Sequence, residues 1–408
     1  MKKLLTAAIL CGLLTDRSYG AGFALYEFSG RSTAMGGSVM ANQAEAASLA
    51  TNPALITELE GTNIQLGATL VTAHARTTIK NPFSGQNETR SLERDVWTLP
   101  NFYITHKWSD DISLGLGAFS RYGLGGTYRD HNTWFGSNLA YKVKLETFSF
   151  TPTIAIKAND QLSIAMGLEA MTIDFTQNSI NSIYPTKGPY EIHGTGVSWG
   201  GNFSLLYRPQ WAEKWSVGAM YRSKIKQNLN GSVNAGAPAT TINIHDAPAE
   251  GAINLPDSIS AGLSFQATEK WVMEAGIVGT FWSSYDQIII QYKDASTIPF
   301  INPQKLYKDT FRLNFGTEYM LTPVWAVRGG YVFDKSPINK AAMDTLVPVD
   351  DRHIVSMGLG YKGETWNADF AYAHIFGRDL SGKSYQGFPM KYSGGRSDMF
   401  ALTVGYKF

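Results

Sequence analysis

The chain has 408 residues, with 35 basic against 34 acidic side chains and a formal net charge of +1. That balance excludes the basic surplus a nucleic-acid partner would want. A lone cysteine, Cys11, excludes a disulfide framework.

Residues 1–20 read as an export signal. Lys2 and Lys3 supply the positive start, Leu4 to Leu14 the apolar core, and Ser18-Tyr19-Gly20 a small-residue cut site before Ala21. The apolar run is too short to span a bilayer as a helix. Leu10 stands where a lipoprotein signal would need a small residue before Cys11, so a mature chain starting at Ala21 has no thiol chemistry. No later run approaches the ~18 apolar residues of a spanning helix. Gly 40, Tyr 20, Phe 21 and Trp 10 make a mixture suited to strands and tight turns. Composition leaves two classes open, a secreted β-protein or an outer-membrane barrel.

The next segment, Ala21 to Ile56, is rich in Ala, Gly and Ser and ends in Asn52-Pro53-Ala54. It lacks the alternation of everything after it. A non-strand segment at the front of a barrel belongs inside, which makes residues 21–60 a candidate plug and 61–408 the barrel. Proline fixes the chain and pushes Asn52 towards extended geometry, and Asn side chains bond nearby backbone in turns. Asn52, Pro53 and Ala54 are therefore read as an anchor to the wall. Ala21, Gly22 and Phe23 are read as the mobile, ligand-sensing end, with Phe23 able to fill an apolar pocket.

Fourteen candidate strands follow, near residues 62–79, 95–107, 111–121, 144–157, 161–177, 195–208, 214–233, 253–267, 270–293, 307–321, 324–335, 352–362, 365–376 and 397–408. In the last, Phe400, Leu402, Val404, Tyr406 and Phe408 oppose Ala401, Thr403, Gly405 and Lys407. A soluble sandwich turns such an apolar face inward, whereas an outer-membrane barrel turns it to lipid. The connectors decide between them. SDD, AND, PQWAEK, TEK, TP and GE are short and alternate with longer polar ones, which matches periplasmic turns and extracellular loops. Trp108, Trp215, Trp271, Trp325 and Trp366 all sit beside a short turn, as an interfacial girdle requires. The fold expected is all-β, a fourteen-stranded antiparallel transmembrane barrel with an internal plug.

Two short motifs lack their context. Gly196-Val197-Ser198-Trp199-Gly200, with His193 nearby, fits a nucleophile elbow but lies in an alternating strand rather than a strand–turn–helix. Gly358-x-Gly360-x-x-Gly363 fits a dinucleotide fingerprint, but a turn and a strand follow it instead of a helix. Those glycines are better read as relieving crowding in the lumen. The seven histidines show no metal-ligand spacing. No catalytic residue, metal or cofactor is expected.

With these residues in view, the chain resembles the FadL family of outer-membrane transporters for long-chain fatty acids and other hydrophobic compounds. AGFALYEFS at Ala21 to Ser29 and NPALIT at Asn52 to Thr57 resemble the family's N-terminal hatch. Tyr122-Gly123-Leu124-Gly125 with Tyr128, Tyr221-Arg222-Ser223, Leu255-Pro256-Asp257, Lys308-Asp309 with Arg312, Ser336-Pro337 and Asp350-Asp351-Arg352 follow in family order. The resemblance implies a monomeric barrel in the bacterial outer membrane, in contact with its lipid. It also implies passive uptake of hydrophobic molecules through an internal pocket, hatch rearrangement, and sideways exit at an inward kink of the third strand. The kink maps onto Ser120, Arg121, Tyr122, Gly123 and Gly125. The family's pocket arginine is replaced by Ser179, which leaves Lys305 as the candidate for a ligand carboxylate and keeps neutral aromatic hydrocarbons open as cargo. A general diffusion porin and an outer-membrane lipase are the lesser alternatives.

Overall fold

The computed structural model describes residues 22–181, 188–235, 246–285, 289–292, 305–348 and 350–408. The export signal expected at 1–20, and Ala21, lie outside the described residues. The first wall strands are β1 (Thr62–Lys80), β2 (Asn87–Ser91), β3 (Val96–Lys107), β4 (Ile112–Phe119), β5 (Gly123–Thr127), β6 (Lys142–Lys157), β7 (Leu162–Asn181) and β8 (Gly188–Tyr207). Next come β9 (Trp215–Arg222), β10 (Ile225–Ala235), β11 (Ala247–Leu255), β12 (Ser258–Thr268), β13 (Trp271–Thr280) and β14 (Ile289–Tyr292). The last are β15 (Thr310–Met320), β16 (Trp325–Asp334), β17 (Arg352–Lys362), β18 (Trp366–Gly377), β19 (Leu380–Lys383) and β20 (Pro389–Lys407).

These strands make a closed wall of fourteen staves. Ten staves are single strands, while β4 with β5, β9 with β10, β12 with β11, and β13 with β14 are staves in two pieces. β2 and β19 extend hairpins beyond the wall on β1 and β20. Neighbours pair antiparallel, and β1 closes on β20 from Asn63↔Lys407 to Ile79↔Met390. Closure joins the two ends of the sheet and pairs most of the backbone within the wall, as a hydrocarbon surround demands.

The faces are those of a membrane barrel. Leu402 and Phe400 are 56% and 44% exposed, while Ala401 and Thr403 between them are 1% exposed. Apolar side chains face outward on every side of the wall, and small or polar ones face a filled lumen.

The lumen is filled by the N-terminal segment. Its helix α1 (Gly30–Ala34) starts at Ser29, whose hydroxyl accepts from the Ser32 amide at 3.0 Å. A second helix, α2 (Ser48–Thr51), leads into a 3₁₀ stretch at Pro53–Glu58. Between them the chain reverses at Gly36 and Gly37, whose φ values of +63° and +82° favour glycine. The wall makes room for that reversal. A Cβ at Gly330 would lie 2.5 Å from the Gly36 nitrogen, and one at Gly316 would lie 2.4 Å from the Met35 oxygen. The glycine-motif positions behave alike, since a Cβ at Gly358 would meet the Ala34 methyl at 2.5 Å.

Candidate transport site

The plug is held by polar contacts around the ring. Asn52 donates through Nδ2 to the Met40 oxygen at 2.6 Å and the Leu205 oxygen at 3.0 Å, and its Oδ1 accepts from the Ala54 amide at 3.1 Å. Ala54 N–H also reaches the Ser204 hydroxyl, and Pro53 is buried as the first residue of the 3₁₀ stretch. Three staves along the wall, on β13, Glu274 accepts from the amides of Met40 and Ala41 at 2.5 and 3.0 Å and from Asn42 Nδ2 at 2.8 Å. Arg31 of α1 bonds Glu318 at 3.0 Å, and Glu318 is shared with Arg328 at 2.6 Å and Lys362 at 2.5 Å. Burial alone would lower the Arg31 pKa, but the Glu318 carboxylate more than offsets this and keeps the guanidinium charged. Glu274 carried no local motif. Its only signal was an acid at a lumen-facing position of an alternating strand.

The third stave is interrupted between Phe119 at the end of β4 and Gly123 at the start of β5. β3 pairs with β4 up to Phe102↔Ala118, whereas β5 pairs only with β6. Above that point Val96–Asn101 of β3 have β1 on one side and no ladder on the other. Pro100, which has no N–H to offer, lies in this unpaired stretch. The isolated bridge Leu92↔Tyr128 and the bond from Glu93 N to Thr127 O at 2.8 Å close the top of the gap.

At the break, the N-terminal arm supplies the missing partner. Leu25 N donates to Arg121 O at 2.8 Å, and Gly123 N donates to Phe23 O at 3.0 Å. Phe23 is buried in an aromatic cluster, with ring centroids 4.8 Å from Trp282, 5.2 Å from Tyr285 and 5.9 Å from Tyr122. Gly22 presses so close to Trp282 that a Cβ would lie 2.5 Å from that ring. Tyr122 is pinned by its hydroxyl to Pro256 O at 2.7 Å, and Arg121 by Glu169 at 2.8 Å.

A cavity of about 840 Å³ lies against this arm, within the size range of ligand pockets. It is bounded by Phe23 and Leu25 of the arm, Trp97 and Pro100 of β3, Ser120 and Tyr122 to Gly126, and Leu346 and Val347 of the loop before β17. Gly125 admits the Trp97 ring, which would lie 2.3 Å from a Cβ there. The structure thus brings Gly22, Phe23, Ser120, Tyr122, Gly123 and Gly125 to one cavity, with Arg121 just behind it. Asn52, Pro53 and Ala54 stand apart from it, with Asn52 and Ala54 bonded to Leu205 and Ser204 of β8.

Lys305 does not border the cavity. Its ammonium is buried on Asp344 Oδ2 at 2.7 Å, beneath the loop whose next residues roof the cavity. Asp344 also accepts from Leu346 N at 2.8 Å, and Tyr392 donates to its backbone oxygen. Lys142 does border the cavity, on the wall above Lys144. Ser179 lies within β7 rather than beyond it. Ser198 sits in β8, where its hydroxyl accepts from Asn228 N at 3.4 Å.

Residues 12–408 match the family model described as outer membrane protein transport protein (OMPP1/FadL/TodX). The chain is 22% identical to a long-chain fatty acid transport protein of Salmonella typhi, over 98% of this chain and 97% of that one. It is equally 22% identical to a 47 kDa outer membrane protein of Pasteurella multocida, over 99% and 98%. Among solved structures, a Pseudomonas aeruginosa FadL homologue superposes with a TM-score of 0.82 at 16% identity, covering 96% of this chain and all of that one. The Ralstonia pickettii toluene transporter TbuX gives 0.70 at 18% identity, covering 94% and 99%.

Proposed function

Because the chain belongs to the outer membrane protein transport family (OMPP1/FadL/TodX), we propose that it takes up hydrophobic molecules, long-chain fatty acids or similar compounds, by passive diffusion with lateral exit through the third-stave gap. The observation that carries this reading is the pairing of the arm with the broken strand. One short segment plugs the cavity through Phe23 and completes the wall through its hydrogen bonds at Arg121 and Gly123. A ligand that displaces Phe23 therefore loosens the wall at the same point. The segments proposed as hatch (21–60) and barrel (61–408) then have separate duties, with Asn52 and Glu274 fastening the plug while Phe23 moves.

Apolar cargo favours a sideways path. Passing from cavity to bilayer keeps each methylene from water, worth about 0.8 kcal/mol apiece. Since Lys305 is engaged by Asp344, a carboxylate at the cavity border meets Lys142 or Arg396 instead, and neutral aromatics need no cation at all. The filled lumen argues against a general diffusion porin.

The test pairs two measurements on the full barrel. Planar-bilayer recordings are expected to show no steady ion conductance, and cells lacking other uptake routes are expected to accumulate labelled oleate or toluene when they express it. Large steady conductance, or no uptake of either probe, would overturn the proposal.

A further inference from the structure

Four arginines gather on the outside of the wall just above the lateral gap. Arg76 and Arg396 stand on β1 and β20, around the bulge between His74 and Arg76. Arg94 precedes β3, and Arg129 follows β5. All four lie near His74, and all four side chains are exposed. Backbone bonds knit the two segments that carry Arg94 and Arg129 over the gap, Glu93 N to Thr127 O at 2.8 Å and Arg129 N to Ser91 O at 3.0 Å.

None of the four forms an ion pair with any described residue. The neighbouring acids form no ion pair with them. Asp398 is already bonded by the Tyr372 hydroxyl at 2.8 Å and His374 at 2.7 Å. Glu93 and Asp95 flank Arg94 in the chain, and neither pairs with any of the four. Four like charges without an ion-pair partner among the described residues repel one another, and an external anion would relieve that repulsion.

Position identifies the anion's source. His74 and Arg396 continue the outward rows of Leu66 and Leu70 on β1 and of Phe400 and Leu402 on β20, all exposed. The periplasmic girdle lies level with Ile64, since Trp366 pairs with Tyr406 and Tyr406 with Ile64. Ten residues of tilted strand separate Ile64 from His74, roughly 25 Å, which is the height of the apolar band. The arginines therefore stand where hydrocarbon ends and headgroups begin, on the side with the long loops. Planar guanidiniums match phosphate oxygens in pairs.

We propose that Arg76, Arg94, Arg129 and Arg396 form a binding site for the phosphate of an outer-leaflet glycolipid, whose acyl chains lie down the Leu66–Leu70 and Phe400–Leu402 rows. The lipid is thereby held above the mouth of the gap. His74 and Arg396 also border the cavity, so the site lies at the rim of the proposed route.

Native mass spectrometry of the full barrel in detergent, titrated with bis-phosphorylated lipid A, tests the site. A retained adduct is expected, weakened roughly fivefold by each Arg→Gln change and abolished in R76Q/R94Q/R129Q/R396Q. Lipid A stripped of both phosphates is expected to bind at the level of the quadruple variant. Inorganic phosphate at equal concentration is expected not to displace the adduct. Equal binding by the quadruple variant or by phosphate-free lipid would overturn the site, and displacement by equimolar inorganic phosphate would overturn the lipid as its occupant. Heat-modified gel mobility checks that each variant is a closed barrel, and the single variant R94Q keeps the test decisive if the quadruple one fails to fold.

Discussion

Deleting Ser120 would straighten the third stave and close the gap. β4 pairs Phe119 with Ser149, and β5 pairs Gly123 with Glu146. Ser120, Arg121 and Tyr122 therefore oppose only Thr147 and Phe148, one residue too many, which is the count of a bulge. Removing one residue restores the register and lets a continuous strand approach β3. Val96–Asn101 would then gain about five ladder bonds, allowing for the missing N–H of Pro100, worth about 5 kcal/mol at about 1 kcal/mol each. Against this stand the two bonds that the arm makes to Arg121 and Gly123, about 2 kcal/mol. The closed wall is favoured by about 3 kcal/mol, roughly a hundredfold in population. Uptake of labelled oleate and toluene should fall by that order in cells expressing the deletion at equal, heat-modifiable levels. A folded deletion variant with unchanged uptake would refute lateral exit through this gap.

Asn52→Ala removes three buried bonds and should loosen the plug by about 2–4 kcal/mol, read as faster hydrogen exchange across residues 36–57 with the barrel strands still protected. Lys305→Met strands the Asp344 carboxylate in the interior and should cost about 3–5 kcal/mol, whereas the double change Lys305→Met with Asp344→Leu should restore most of the loss. Thermal unfolding of the two variants distinguishes these outcomes. Burial pushes the Asp351 carboxyl up to about 7, helped by the neighbouring Asp350 and opposed by the bond from Ser336 N. The folded chain then holds a proton that the unfolded chain has lost between about pH 4 and pH 7, so this group's stabilisation falls as pH rises through that window. Hydrogen exchange of the segment from Ser336 to Asp351 should quicken from pH 5 to pH 8, after correction for intrinsic rates, and Asp351→Asn should flatten that trend.

The wall was legible because alternation and turn length are local. Phe400 and Leu402 declare their face from neighbours two residues away, and the short connectors declare their end of the barrel. The break at Ser120 was reached through resemblance, and its one-residue surplus exists only in the pairing with β6. What escaped the sequence were contacts between distant residues. Glu274 clasps amides more than two hundred positions earlier, and nothing around Met273 and Ala275 marks it as a clasp. Lys305 read as a free cation because its partner Asp344 lies in another loop. The arm's pairing with Arg121 and Gly123 was hidden for the same reason, since backbone atoms leave no trace in side-chain pattern.

The seam between β1 and β20 dictates an order of assembly. The plug bonds to strands from both ends of the chain, with Gly30 N on Thr403 at 2.6 Å and Ala47 N on Gln65 at 2.8 Å. The contact with Thr403 exists only once β20 has come round to β1, a pairing that spans more than three hundred residues and is slow to find. The N-terminal plug is thus among the last parts to settle, and the barrel must zip shut around a guest already attached to its own first strand.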